Sequence, residues 1–207
     1  MRFIAAALLT VVFALPVLAV EPPVDNDEAV LCVYTAADTG DAETFMDGVV
    51  AGEVYRLYFV LWHAEMRSHA LGAFEFSWGI EPANVAPTVL DMQWGVQFGT
   101  CYNFGDYQNM LVGYTMFEPH TPDRPFVLFS VDIVFDETPS NAALYLAPSE
   151  PASIAGEMAY CGYVLPDELW TMVPNNPAQS MSDPVFLFNS PVAVESHSLS
   201  SVKALFN

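Results

Sequence analysis

Hydrophobic and polar residues alternate one by one along several stretches of this chain, and a two-residue period dictates extended structure. In Ala70 to Ile80 (ALGAFEFSWGI), Phe74, Phe76, Trp78 and Ile80 fall on one side, with Glu75 and Ser77 on the other. A helix would scatter that set around its axis, whereas a strand gathers it on one face. Phe126 to Phe135 (FVLFSVDIVF) repeats the pattern. Val127, Phe129, Val131, Ile133 and Phe135 form its core side, and Ser130 and Asp132 its opposite side. Val54 to Trp62 (VYRLYFVLW) is apolar on both sides except at Arg56, which predicts a central strand covered on both faces. Shorter runs follow at Ala29 to Tyr34, Trp94 to Phe98, Asn109 to Phe117, Ala142 to Ala147, Met158 to Val164, and Val185 to Asn189 with Pro191 to Glu195. The count is about nine to ten strands. Clusters of Pro, Gly, Asn and Asp separate them, and no amphipathic helix of useful length interrupts them. The 16 prolines lie mostly between the runs, since proline cannot donate to a strand ladder. The expected fold is all-β: a two-sheet antiparallel sandwich filled by inward aromatics. The long connections at Pro119 to Pro125 and Pro148 to Gly156 are expected to carry the chain from one sheet to the other.

The two ends break the rhythm. Arg2, the apolar run Phe3 to Leu15, Pro16 and the small-residue site Val17-Leu18-Ala19 compose an export signal over residues 1–19. The run is too short for a permanent membrane span. Residues 20–27 (VEPPVDND) read as a flexible leader-in, residues 28–195 as the sandwich domain, and residues 196–207 (SHSLSSVKALFN) as a tail. Ser200 or Ser201 would cap a short helix there, with Val202, Leu205 and Phe206 on one side. The expected location is outside the cytoplasm, secreted or in the cell envelope, with no transmembrane segment after the signal is removed.

Charge narrows the partners. The chain carries 25 acidic residues against 5 Lys and Arg, for a formal charge of −20. Such a surface repels nucleic acid, which demands a basic patch. It suits cationic partners, divalent cations, or simple solubility. Apolar residues are 53% of the chain and aromatics 14%, so the charge coexists with enough core-forming material to fold.

Candidate chemistry is sparse. Tyr102, Asn103, Asp106 and Tyr107 crowd one loop, Thr100 to Gln108, and Trp170 sits in a second proline-bounded segment. Exposed rings beside polar side chains are how sandwiches hold sugars, and rings that plug the sandwich ends are the alternative reading. Asp38, Asp41 and Glu43 flank Gly40 in an acidic connection that offers oxygen ligands for calcium, although the regular helix–loop–helix calcium order is missing. A solvated acidic loop explains the same residues. His63, Glu65 and His69 would approach one another across a hairpin and hold a transition metal, or form a polar turn. No cofactor is otherwise implied. Export permits one disulfide among Cys32, Cys101 and Cys161, and buried free thiols are the alternative. There is no G-x-S-x-G elbow and no shaped neighbourhood around His120 or His197, so enzymatic activity is not expected.

Four stretches carry a likeness to known proteins: LCVYTA (Leu31 to Ala36), VYRLYFVLWHA (Val54 to Ala64), LGAFEFSW (Leu71 to Trp78) and YLAPSEPASIAGEMAYCG (Tyr145 to Gly162). Together with their spacing they resemble secreted bacterial proteins with a cohesin-like, immunoglobulin-like sandwich. The ending PVAVESHSLSSVKALF (Pro191 to Phe206) is similar to tails that close small exported proteins of that kind. The resemblance implies a cohesin-like, immunoglobulin-like or jelly-roll sandwich and, more loosely, adhesion or complex assembly. No contact residue is carried over, since none can be matched. The expected function is a secreted, non-enzymatic binding or structural module with a protein or glycan as partner. A carbohydrate-binding module is the alternative, and a secreted hydrolase stands behind both.

Overall fold

The computed structural model describes residues 29–37, 43–62, 70–95, 100–119, 125–162 and 169–190. These residues form twelve strands: β1 (Ala29–Tyr34), β2 (Phe45–Met46), β3 (Val54–Trp62), β4 (Ala70–Glu81), β5 (Thr88–Trp94), β6 (Cys101–Asn103), β7 (Asn109–Pro119), β8 (Phe126–Val134), β9 (Ala142–Ala147), β10 (Met158–Gly162), β11 (Leu169–Pro174) and β12 (Phe186–Phe188). The one helical element among them is a single 3-10 turn, Ala83–Val85.

The strands make two layers. In one, β5, β8, β3 and β1 lie side by side; in the other, β6, β7 and β4 do, with β9 followed by β12 and β2. Rings on β3 and β8 meet rings on β4 although neither strand pairs with it. Phe59 lies 5.9 Å from Phe76 and 5.4 Å from Trp78, and Phe76 lies 6.0 Å from Phe129. Contact without a shared ladder means that the layers face each other across the core, as in a sandwich. Near the other end of the core, Phe135 meets Phe188 edge-on at 5.2 Å.

One strand joins the layers. The start of β11 pairs antiparallel with β10 (Cys161 opposite Leu169), and its end pairs parallel with β1 (Leu31 opposite Pro174). β11 therefore turns the corner, and the hydrogen-bonded path is continuous from one layer to the other. The expected antiparallel sandwich holds; within it β1 with β11 and β12 with β2 pair parallel.

Burial follows the alternation. Phe74, Phe76, Trp78 and Ile80 are all buried. On β8 the rhythm slips, because a bulge lies opposite Phe59 and Val60. Leu128 and Phe129 are both buried within the main core, and Val127 packs with the outer cluster instead. That cluster (Val30, Cys32, Tyr34 and Val60) buries the second face of β1. The unbroken run AVLCVY is the sequence mark of a strand covered on both sides.

The segment 148–157 does not cross between layers as expected. β9 pairs with Ser77 to Glu81 of β4, and β10 pairs with Leu71 to Glu75 of the same strand. Both run antiparallel to β4 along its one edge, so 148–157 is an excursion inserted into a single interrupted strand line. The Pro119 to Pro125 connection does lead from one layer to the other, since β7 pairs with β4 and β8 with β3.

Candidate binding site

Cross-strand register builds a trough on the outer face of the β4 layer. One row runs Tyr102 (β6), Gly113 (β7), Ala73 (β4), Cys161 (β10) and Leu169 (β11), each directly opposite the next. The next row runs Leu111, Glu75, Ala159 and Thr171, with Phe104 bonded through its N–H to the Leu111 carbonyl at 2.8 Å. Directly opposed residues share a face. The middle of the first row is small (Gly113, Ala73, Cys161) and Ala159 extends it into the second beside Glu75, while the β6 side carries large rings and the β11 side carries Leu169. Small residues between large ones leave a depression of about 250 Å³, lined chiefly by apolar atoms. From the β6 wall to the β11 wall is four strand spacings, roughly 19 Å at ~4.8 Å each.

The walls are exposed. Phe104 is 79% accessible, Tyr102 55% and Leu169 46%. Phe104 leans toward the floor: a Cβ on Gly113 would lie 3.7 Å from its ring. The β6–β7 turn that presents these rings is built by its own polar side chains. Asn103 accepts the N–H groups of Gly105 (3.1 Å) and Leu111 (3.0 Å) at Oδ1 and donates from Nδ2 to the Asp106 carbonyl at 2.7 Å. Asp106 Oδ1 accepts the N–H groups of Gln108 and Asn109 at 2.8 and 2.7 Å. Gly105 has no room for a side chain, because a Cβ there would run into the Asn109 carbonyl.

One end of the trough is closed by the 148–157 excursion. Glu75 accepts the Ser153 N–H at 2.6 Å and the Ser153 hydroxyl at 2.8 Å. Ser77 donates to the Pro148 carbonyl at 2.8 Å, and Asn109 grips the Glu150 backbone in both directions at 2.7 and 2.8 Å. The polar side of the β4 alternation is thus an anchoring face for a loop rather than a solvated one. Glu75 lines the cavity and is only 9% accessible. Among the described residues the sole ion pair is elsewhere, between Arg56 and Asp132, two bonds of 2.6 and 2.7 Å. That bidentate contact raises Arg56 and lowers Asp132 from their ordinary values. Burial raises the Cys161 thiol, a bond to the Ala73 backbone opposes this, and the Glu75 charge adds to it.

Of the residues singled out from sequence, Tyr102, Asn103, Asp106 and Tyr107 do share one hairpin, and Tyr107 is 59% accessible. Asn103 uses Oδ1 and Nδ2, and Asp106 its Oδ1, on the turn itself. Trp170 is not with them: it lies in β11, half-buried against the core, with its ring 5.5 Å from Tyr160. Cys32, Cys101 and Cys161 lie on β1, β6 and β10, no two of which are neighbouring strands. Glu43 is described: its backbone N–H donates to the Thr35 hydroxyl and its carbonyl accepts the Thr35 N–H, both at 3.2 Å; Asp38 and Asp41, the rest of the calcium candidate, lie outside the described residues, as do His63, Glu65 and His69. Among the described residues no three His, Cys, Asp or Glu side chains are grouped to hold a metal. Sequence reading missed Gly113, Ala73, Cys161, Leu169 and the Glu75–Ser153 contact. Only the register connects them, although the Glu75 position on the polar side of β4 was legible.

No family model matches the sequence, and no curated protein matches it. Among solved structures the chain is similar to the sixth cohesin of Acetivibrio cellulolyticus scaffoldin B, which was solved in complex with a Cel5 dockerin. The TM-score is 0.48 at 10% identity, over 79% of this chain and 99% of that one. It is also similar to a cohesin module from a family 33 glycoside hydrolase of Clostridium perfringens, with a TM-score of 0.44 at 7% identity, over 71% of this chain and 91% of that one. Likeness of this degree transfers no partner and no site, and the architecture rests on the strand pairing above.

Proposed function

We propose that this chain is an exported, non-catalytic binding module and that the trough is the surface with which it takes a partner protein. The observation that carries this is the placing of Tyr102, Phe104 and Leu169 as exposed walls around a small-residue apolar floor. Large rings flanking a concave apolar centre are the material of protein–protein hot spots. The cavity is smaller than the ~300–1,000 Å³ of typical small-molecule clefts, which suits side chains reaching in from a larger partner. Charge points to the partner's sign. The chain carries −20, and Arg56, the one Lys or Arg among the described residues, is tied to Asp132. A positively charged partner is steered toward such a surface.

Gly113→Leu tests the reading. A Cβ at that place meets only the Phe104 ring, at ordinary contact distance, so the backbone stays and the floor fills. A protein retained from the extracellular fraction by the wild type, lost by both Gly113→Leu and Phe104→Ser, and protecting the β4 and β7 amides from hydrogen exchange supports the trough. Equal retention by all three forms removes it.

The second reading is a carbohydrate-binding module, favoured by three exposed rings on one hairpin, Tyr102, Phe104 and Tyr107. It has fewer polar groups to orient a sugar, because Asn103 and Asp106 are used within the turn. Glycan-array binding that Tyr107→Ala abolishes would favour it over the protein partner.

A further inference from the structure

We infer that Glu75 is the recognition anchor for a cationic side chain of the partner, a lysine-like alkyl cation laid along the trough floor. The inference rests on the trough being a binding surface and adds what it selects. Glu75 sits at the closed end of an apolar depression and is 9% accessible. Both its oxygens are held by one residue, Ser153, through the backbone N–H and the hydroxyl. Those two neutral donors fix the carboxylate in place and bring no opposite charge to it. Among the described residues no Lys or Arg is available to it, since Arg56 is paired with Asp132. A carboxylate kept in an apolar site without a counter-ion is costly unless something brings the opposite charge.

The surroundings fit an alkyl chain that ends in a cation. Ala73, Gly113, Cys161 and Leu111 offer an apolar track for methylenes, and long cationic side chains habitually lay their stems on such surface while the head seeks polarity. The Phe104 ring stands at the wall beside the track, and an aromatic face attracts a cation that a carboxylate also holds. A neutral alkyl group would fill the same track and meet nothing at its end. An anion would be repelled.

The test is a nuclear magnetic resonance titration of the protein with three blocked amino acids: N-acetyl-lysine methylamide, N-acetyl-norleucine methylamide and N-acetyl-glutamate methylamide. The expected result is saturable shifts at the amides of Ala73, Gly113 and Ala159, with the lysine probe bound at least fivefold more tightly than norleucine and the glutamate probe not at all. Glu75→Gln, which still accepts the Ser153 N–H, should erase the lysine preference and leave norleucine unchanged. Equal binding of lysine and norleucine by the wild type overturns the anchor while the trough survives, and so does a lysine preference that persists in Glu75→Gln. If no probe shifts those amides, the trough itself falls, and the anchor with it.

Discussion

Single polar residues hold the irregular parts of this fold, and the side-chain amides do most of it. Asn189 donates from Nδ2 to the carbonyls of Val49 (2.6 Å) and Pro139 (2.9 Å), while its Oδ1 accepts the Val49 N–H at 2.8 Å. Three segments far apart in the chain thus meet on one side chain, whose own backbone sits at φ 46°. Val49 is 1% accessible, so its freed N–H and carbonyl would have no water to turn to. Asn189→Ala should cost about 1–3 kcal/mol, the usual penalty for leaving buried polar groups unmade. Urea unfolding would show this as a lowered midpoint with an unchanged slope. Asn103 and Asp106 belong to the same class. Their chemistry looked like ligand chemistry in the sequence because a turn and a sugar ask for the same oxygens and amides, and only the hydrogen-bond partners tell the two uses apart.

At the scale of elements, the unusual part is the 148–157 excursion, which leaves one strand line, folds over the face of β4 and returns to it. Its attachment runs through Ser77, Asn109 and Glu75. Asn109→Ala removes the two bonds to the Glu150 backbone and should loosen the excursion without touching the core. The expected outcome is severalfold faster proteolytic cutting between Glu150 and Gly156, with thermal unfolding of the rest shifted little. Unbroken apolar runs bounded by polar or turn residues were legible beforehand. The bounds of Ala29 to Tyr34, Val54 to Trp62 and Ala142 to Ala147 coincide with β1, β3 and β9. β5 was not legible. The strand expected at Trp94 to Phe98 shares Trp94 with β5, Thr88–Trp94; Gly95 follows it outside the strand, and residues 96–99 lie outside the described set. Among the described residues β5 is an edge strand, paired only with β8 and with a bulge at Leu90, so Asp91 and Gln93 are exposed and the apolar rhythm is diluted. β11 was missed for a different reason: prolines bound it and it changes partners midway, so it never presents one face to one environment. The trough was legible only as exposed aromatics. Its floor is made of Gly113, Ala73 and Cys161, which are spread widely along the chain and become neighbours through pairing register alone.

For the molecule as a whole, two kinds of acid oppose each other: many exposed carboxylates that carry the charge, and a few buried groups that must stay neutral. A net charge of −20 repels itself in the compact state. Adding monovalent salt should therefore raise the melting temperature, most steeply below ~0.15 M, where the screening length is still long. The buried groups set an alkaline limit. Burial pushes the Cys32 thiol up to about 12 from 9.0, against a partly offsetting hydrogen bond with Tyr34. Burial also raises Tyr34, with Cys32 adding to it, and raises Tyr160 by desolvation. Below the ordinary thiol value both folded and unfolded chains keep these protons, so the contribution to stability is complete. Between 9.0 and about 12 the unfolded chain releases the Cys32 proton while the folded chain retains it, and stability falls as pH rises. The two tyrosines begin the same loss from 10.0. The urea midpoint should stay level toward pH ~9 and drop steeply beyond it. Growing self-repulsion would also lower stability in alkali, but high salt suppresses repulsion and leaves the buried-group loss in place. Cys32→Ala separates the two causes further. It removes one titrating group from the cluster of Val30, Tyr34 and Val60, so the alkaline drop should begin later and be shallower than in the wild type. An identical drop in the variant at high salt would show that Cys32 is not among the groups that set the limit.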